Sequence, residues 1–203
     1  MSDSVNQSRR SFLEKSAAVG AVTIAPGILL HQVASAKPDD QAVSSSVRWG
    51  MLINTAKCEQ GCTDCIDACN NEHGLVGNNR PESDTQYIRK VTLREKQTGH
   101  EISLPMMCQH CETAPCVDVC PTGASFKRKD GIALVDKHIC IGCRYCMMAC
   151  PFKARSFVHE AVTNQTLSSP RGKGTVESCT LCVHRVDKDQ APACVEACGK
   201  GKH

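Results

Sequence analysis

Sixteen cysteines are the residues of this 203-residue sequence best suited to chemistry, and they fall into four groups of four with no cysteine left over. The four spacings are Cys58-x3-Cys62-x2-Cys65-x3-Cys69, Cys108-x2-Cys111-x4-Cys116-x3-Cys120, Cys140-x2-Cys143-x2-Cys146-x3-Cys150 and Cys179-x2-Cys182-x11-Cys194-x3-Cys198. Closely spaced thiolates of this kind converge on one iron-sulfur cubane. The pattern therefore predicts four [4Fe-4S] clusters, whose chemistry is the transfer of single electrons.

The third group has the spacing of bacterial two-cluster ferredoxins, C-x2-C-x2-C-x3-C-P. In that run three thiolates hold one cubane and the fourth, here Cys150, crosses to a second cubane. Pro151 ends the short helical turn because it cannot donate the next backbone hydrogen bond, and Cys120-Pro121 repeats this feature. Since a two-cluster unit needs two groups, four groups predict two ferredoxin-like units.

Two other uses of the cysteines stay open. Zinc ribbons also contain C-x2-C pairs, although zinc favours two pairs separated by a spacer. Disulfides suit an even number of cysteines in an exported protein, although C-x2-C neighbours bridge with strain. A zinc-binding or disulfide-stapled structural protein is therefore the alternative of a different class, and it would be colourless.

The composition agrees with a core built from cysteines, because only seven residues are aromatic. The formal net charge is +3. Without residues 1–36 the net charge is +2. Each of four oxidised clusters with its four thiolates adds about −2, so the loaded chain would carry about −6 after export. An acidic protein of this kind has no electrostatic basis for binding nucleic acid.

The amino terminus predicts export. Ser8-Arg9-Arg10-Ser11-Phe12-Leu13 resembles a twin-arginine signal, and Ala34-Ser35-Ala36 is a small-x-small cleavage site. We expect residues 1–36 to be the signal, the mature chain to begin at Lys37, and the protein to reach the periplasm already folded and loaded. An ordinary amphipathic helix or an uncleaved anchor is the alternative.

The segments that must position the cysteines predict an α+β fold with two ferredoxin-like units, built from short β-hairpins, small helices and many loops. Strands are predicted at 47–54, 87–93, 125–128, 132–135 and 155–158, with loops at 70–86 and 163–174. The Asp130-Gly131 turn predicts a hairpin. Trp49 is expected in a half-buried strand that shields a cluster, and His110 either donates to a cluster sulfur or faces solvent.

The four quartets resemble those of the four-cluster ferredoxin-type electron-transfer subunits that accompany molybdopterin oxidoreductases. The resemblance implies that the outer quartets exchange their fourth cysteines, as do the inner ones. It implies an inner unit at about 105–160 and an outer unit at about 47–104 plus 161–203. The implied ligand sets are Cys58, Cys62, Cys65 and Cys198; Cys179, Cys182, Cys194 and Cys69; Cys108, Cys111, Cys116 and Cys150; and Cys140, Cys143, Cys146 and Cys120.

Arg48-Trp49-Gly50-Met51-Leu52-Ile53, followed by Cys58-Glu59-Gln60-Gly61-Cys62-Thr63-Asp64-Cys65, is similar to the DsrO-type subunits of sulfite-reduction-associated DsrMKJOP complexes. That family implies a polytopic quinone-interacting membrane subunit and a multihaem cytochrome c as partners. No nucleophile-base constellation stands out in the sequence, so we expect no catalysis by this chain alone and no small-molecule substrate of its own. An electron-transfer subunit of a molybdopterin oxidoreductase or a cytochrome nitrite reductase system is the alternative.

The sequence ends five residues after Cys198, at Gly199-Lys200-Gly201-Lys202-His203, where members of that family usually continue. We expect the last strand of the outer unit to be missing and the cluster held by Cys198 to be less shielded.

Overall fold

A computed structural model describes residues 43–163 and 165–198 of the chain. The predicted export signal and cleavage site lie outside these residues, and so do residues 199–203. In the part of the chain that is described, no helix is long and apolar enough to cross a membrane.

Three antiparallel strand pairs form the sheet structure of the described residues. They are β1 (Ile88–Arg94) with β2 (Glu101–Met107), β3 (Ser125–Lys127) with β4 (Ala133–Val135), and β5 (Arg155–Phe157) with β6 (Val176–Ser178). The second pair is the hairpin predicted around Asp130-Gly131, and Gly131 adopts the positive φ of 89° that its turn requires. β5 pairs with a strand on the far side of a long loop, directly before the fourth cysteine group.

Short helices follow or contain the cysteine groups. A 3-10 turn, Thr55–Lys57, precedes the first group; the helices are α1 (Asp64–His73), α2 (Pro115–Asp118), α3 (Tyr145–Met148), α4 (Val183–Val186) and α5 (Ala193–Cys198). α1 ends at Gly74, which has a left-handed conformation and donates its N–H to Asn70 O. Together with the strand pairs, these helices confirm the prediction of a small α+β fold.

The helices bring distant cysteine groups together. α1 packs against α5, so the first group lies beside the fourth, and α2 packs against α3, so the second lies beside the third. Buried cysteines form much of both apolar clusters: Cys69, Cys179 and Cys194 pack with Tyr87 and Ile88 in one. Cys116 and Cys146 pack with Ala114 and Val176 in the other.

The strand predicted at 47–54 is wrong. Among the described residues this segment has no strand partner, so Trp49, whose side chain is 42% exposed, does not lie in the strand that was expected. An apolar alternation makes a strand only where a neighbour offers backbone hydrogen bonds. Met51 nevertheless packs against the apolar cluster around Cys69.

Two further boundaries differ from the prediction. The loop predicted at 70–86 begins inside α1, which continues to His73. β2 was not predicted. The alternation of Ile102 and Leu104 with polar residues is typical of a strand, but Pro105 argues against one. A proline is tolerated there since a strand in a two-stranded sheet has one unpaired edge.

Candidate cluster-binding sites

The first predicted set of ligands, Cys58, Cys62, Cys65 and Cys198, comes together at a partly exposed site. The neighbours that act electrostatically on the Cys65 thiol are Cys58, Cys62 and Cys198, the last of which comes from the far end of the chain. Burial is the main cause that raises the pKa of Cys65, and these neighbouring thiols raise it as well. Beside them is a cavity of about 340 Å³ with mainly apolar walls, and its sulfur-bearing residues include Cys58, Cys62, Cys65 and Cys198.

The second set is enclosed. Cys69 on α1 is surrounded by Cys179, Cys182 and Cys194, and all four residues are buried. Burial raises the pKa of Cys179 to about 12 and that of Cys194 to about 11, and it raises that of Cys69 further, helped by the neighbouring thiols. Crowded buried thiols ionise only when a cation compensates them, as the irons of a cubane do.

The thiols of the inner groups are arranged in the same way. Cys108 has Cys116 and Cys150 as electrostatic neighbours, and Cys111 packs against the apolar cluster that contains Cys116. Cys146 has Cys140 and Cys120 as neighbours. The residues around a small cavity include the remaining predicted set, Cys120, Cys140, Cys143 and Cys146. The structure therefore brings members of all four implied sets together.

A left-handed residue precedes the second cysteine of every group. These residues are Gly61 (φ 78°), His110 (φ 43°), Gly142 (φ 70°) and Leu181 (φ 53°). The repeated turn folds the chain back so that closely spaced thiols share one side of the loop. Two of the four positions carry side chains, for which this conformation costs about 1–2 kcal/mol.

Backbone amides point at several of the sulfurs. Ser125 N–H donates to Cys120 Sγ at 3.3 Å, Ala154 N–H to Cys150 Sγ at 3.4 Å and Leu181 N–H to Cys179 Sγ at 3.4 Å. Burial raises the pKa of Cys120, but hydrogen bonds from Ser125 and Thr122 outweigh it, so the pKa lies below the ordinary value. Amides that donate to thiolates stabilise the charge of a metal-bound sulfur.

Buried polar atoms without partners also surround the groups. His110 Nδ1 accepts from Ala133 N–H at 3.0 Å and lies 4.0 Å from Cys108 Sγ, whereas Nε2 has no partner among the described residues. The hydroxyls of Ser125 and Thr180 are likewise without a hydrogen bond in this part of the chain. Unpaired donors beside buried thiols fit acceptors such as the sulfides of a cluster. The solvent-facing alternative for His110 is wrong, because the residue is 8% exposed.

Three residues with roles near the cysteines were not singled out from the sequence. His73 lies one helical turn after Cys69, a spacing that places both on one face of α1, and its Nε2 lies 3.5 Å from Cys182 Sγ. Lys90 Nζ donates to the carbonyl of Cys62 at 2.6 Å. Arg155 is buried near Cys146. Only the Cys-x3-His spacing was a signal that the sequence could have given.

No disulfide joins any of the sixteen cysteines, all of which lie in the described residues. Within residues 43–163 and 165–198, no three histidine, cysteine or carboxylate side chains meet closely enough to hold a single metal ion. Several of the thiols instead line the two cavities described above, one beside Cys65 and one beside Cys146.

Comparison with known proteins agrees with this geometry. Residues 100–202 match a family model described as a 4Fe-4S dicluster domain. The chain is 37% identical to the Hdr-like menaquinol oxidoreductase iron-sulfur subunit 1 of Archaeoglobus fulgidus, over 95% of this chain and 81% of that protein. It is 36% identical to a tetrathionate reductase subunit of Salmonella typhimurium, over 97% and 72%. It is 34% identical to the protein NrfC of Escherichia coli, over 94% and 76%.

Proposed function

Because the chain belongs to the 4Fe-4S dicluster family of iron-sulfur electron-transfer subunits, we propose that it relays electrons between a quinone-interacting membrane subunit and other redox subunits of one complex. It carries [4Fe-4S] clusters, four by its cysteine count. Each bound cluster accepts and releases one electron. The chain itself fixes the positions of the clusters, keeps water from them and adjusts their potentials.

The meeting of Cys69 with Cys179, Cys182 and Cys194 is the observation that carries this proposal. This contact brings together cysteines more than 100 positions apart in the sequence. A two-cluster unit that exchanges ligands between distant groups requires such a contact. We assign the four ligand sets named above on this basis. Cys179 also has Cys108 as an electrostatic neighbour, so an outer set adjoins an inner set. Adjacent sets of this kind form a continuous path for electrons.

The finer proposal is a DsrO-like subunit of a sulfur-metabolism complex, with a multihaem cytochrome c among its partners. The segments 48–53 and 58–65 support it, and so does the relative whose name describes a menaquinol oxidoreductase. We place the protein in the periplasm, exported through the twin-arginine signal of residues 1–36 and held at the membrane by its partners. The chain performs no catalysis alone, and its clusters act only as one component of an oxidoreductase.

A molybdopterin reductase is the second candidate setting, because the tetrathionate reductase subunit is similar over 97% of this chain. A cytochrome nitrite reductase system is a further candidate setting of the same kind. In these settings the cluster chemistry is unchanged, but the protein with which the chain exchanges electrons differs.

Purification of the native complex from membranes under anaerobic conditions separates these settings. We expect a polytopic membrane subunit and a multihaem cytochrome to copurify, and a menaquinol analogue to reduce the clusters within the complex. Copurification with a molybdenum-containing subunit would favour the second setting. A colourless protein with zinc or no metal would contradict both.

A further inference from the structure

Arg155 carries a buried charge that no carboxylate of the described residues balances. The residue begins β5 and is 5% exposed. Among the described residues, no carboxylate, carbonyl or hydroxyl accepts a hydrogen bond from its Nε, Nη1 or Nη2 atoms. A buried guanidinium without an anion is strongly unfavourable, so its environment calls for negative charge.

Three other arginines whose side chains are largely buried in this part of the chain pair with carboxylates. Arg171 pairs with Glu177 at 2.9 Å, and Arg185 pairs with Glu72 at 3.0 Å. Arg128 pairs with both Asp130 and Asp187, at 2.9 and 2.7 Å. Unlike these arginines, Arg155 has no carboxylate partner among the described residues. The anion that balances its charge is therefore a different group.

The position of Arg155 indicates which anion this is. Along the chain it lies five residues after Cys150, and across the sheet it pairs with Ser178, the residue before Cys179. Its guanidinium is an electrostatic neighbour of Cys146 and Cys108, which belong to different inner sets. Arg155 therefore lies beside both inner sets, next to the point where Cys179 adjoins them.

We propose that Arg155 is the counter-cation of the two inner clusters and raises their reduction potentials, an inference that rests on the proposed four-cluster function. Each reduction adds a negative charge, which a fixed positive charge nearby stabilises. Removal of the charge therefore makes the inner clusters harder to reduce. Arg155 is not among the electrostatic neighbours of Cys65, which belongs to the outer set that includes Cys198. The cluster of that outer set therefore serves as the reference whose potential should not change.

The test compares Arg155→Gln, Arg155→Lys and the control Arg94→Gln in the full chain loaded with clusters. Arg94 is 72% exposed at the end of the β1–β2 pair, so its variant removes one surface charge. Iron and acid-labile sulfide are counted first, and each cluster is then titrated potentiometrically by electron paramagnetic resonance. In Arg155→Gln we expect the reduction equilibrium of at least one inner cluster to fall about tenfold, a shift of 59 mV, with the outer reference cluster unchanged. Arg155→Lys and Arg94→Gln retain the native potentials.

If Arg155→Gln does not assemble its inner clusters, Arg155→Lys shows whether the positive charge or the shape of the side chain is required. Native iron content and potentials in Arg155→Lys would support a requirement for charge, whereas equal loss in both variants would overturn it. Native potentials in Arg155→Gln, within the change seen for Arg94→Gln, would also overturn it. Failure of the wild-type chain to hold iron and sulfide would instead reject the proposed function.

Discussion

The Nε2 atom of His73 lies 3.5 Å from Sγ of Cys182, although 109 positions separate the two residues. His73 is almost completely buried, and its Nδ1 lies 3.0 Å from Ser169 Oγ. Burial lowers its pKa to about 4, aided by the charge of His184, so the ring is neutral at pH 7. When the Ser169 hydroxyl donates to Nδ1, the Nε2–H group donates to the sulfur. The contact joins the first cysteine group to the fourth.

Replacement of His73 with leucine should lower the reduction potential of the cluster that we assign to Cys182. The variant removes a donor to a ligand sulfur, and such donors stabilise the more negative reduced state. We expect a shift on the order of 40 mV, equivalent to about 1 kcal/mol for one electron. Potentiometric titration measures it. His100→Leu, on the exposed β1–β2 turn, is the control, and equal potentials in both variants would reject this role of His73.

Glu72 should stabilise the outer groups by joining α1 to α4. Its carboxylate lies 2.7 Å from His184 Nε2 and 3.0 Å from Arg185 Nη1. These contacts, the hydrogen bond from His184 first, hold the pKa of Glu72 below its ordinary 4.5. We expect Glu72→Gln to cost about 1 kcal/mol, so that the outer clusters are lost about fivefold faster on mild heating.

The pH dependence of this contribution follows from the direction of the pKa shift. Because the folded-state pKa is the lower one, the stabilisation is fully present above pH 4.5 and disappears as the pH falls through the folded-state pKa. The rate difference between wild type and Glu72→Gln should therefore persist at pH 7 and narrow below pH 4.5. Loss of visible absorbance follows both rates. Glu160→Gln, which breaks an exposed pair with Arg80, should behave like wild type.

Gly142→Ala should prevent assembly of an inner cluster. A Cβ atom at this position would lie 2.2 Å from the carbonyl oxygen of Gly174, and the φ of 70° disfavours a side chain. Gly99 has a similar φ of 72° but open space around it, so Gly99→Ala tests the conformational cost alone. We expect iron to fall by at least about a quarter in Gly142→Ala and to stay native in Gly99→Ala. Native iron in Gly142→Ala would show that the close approach to Gly174 is not needed.

The exchange of fourth cysteines predicts which pairs of substitutions act on one cluster. Cys198→Ser should alter the same paramagnetic signal as Cys65→Ser, and Cys69→Ser the same signal as Cys179→Ser. Sulfur-to-oxygen replacement shifts or removes the signal of the cluster concerned without changing the others. If Cys69→Ser altered the signal that Cys65→Ser alters, each group would hold its own cluster and the exchange would be wrong.

The cysteine spacings determine the site more completely than they determine the fold. The hairpin around Gly131 and the strand beginning at Ile88 could be predicted because local turn chemistry and β-branched residues specify them. The strand beginning at Arg155 could be predicted because it follows the third cysteine group as the hairpin follows the second. β6 could not, since its partner lies beyond a loop of some twenty residues and no local pattern encodes such a pairing. The segment around Trp49 failed for the opposite reason, because its local pattern suggests a strand for which the described chain offers no partner.

Tertiary placement also explains which site residues were missed. Arg155 reads as an ordinary strand residue, and only its burial without a carboxylate distinguishes it. Leu181 and His110 occupy a left-handed conformation that Gly61 and Gly142 occupy in the other two groups. From the sequence, the glycines suggest this turn whereas the leucine and histidine do not. Packing around the thiols, rather than residue preference, decides these positions.

Iron and acid-labile sulfide analysis of the anaerobically purified chain, together with its visible spectrum, tests the central claim most directly. Four cubanes require about sixteen irons and sixteen sulfides in a brown protein. About half of these amounts would indicate a single two-cluster unit and contradict the outer pairing of Cys69 with the fourth group. Zinc, or no metal at all, would contradict the electron relay altogether.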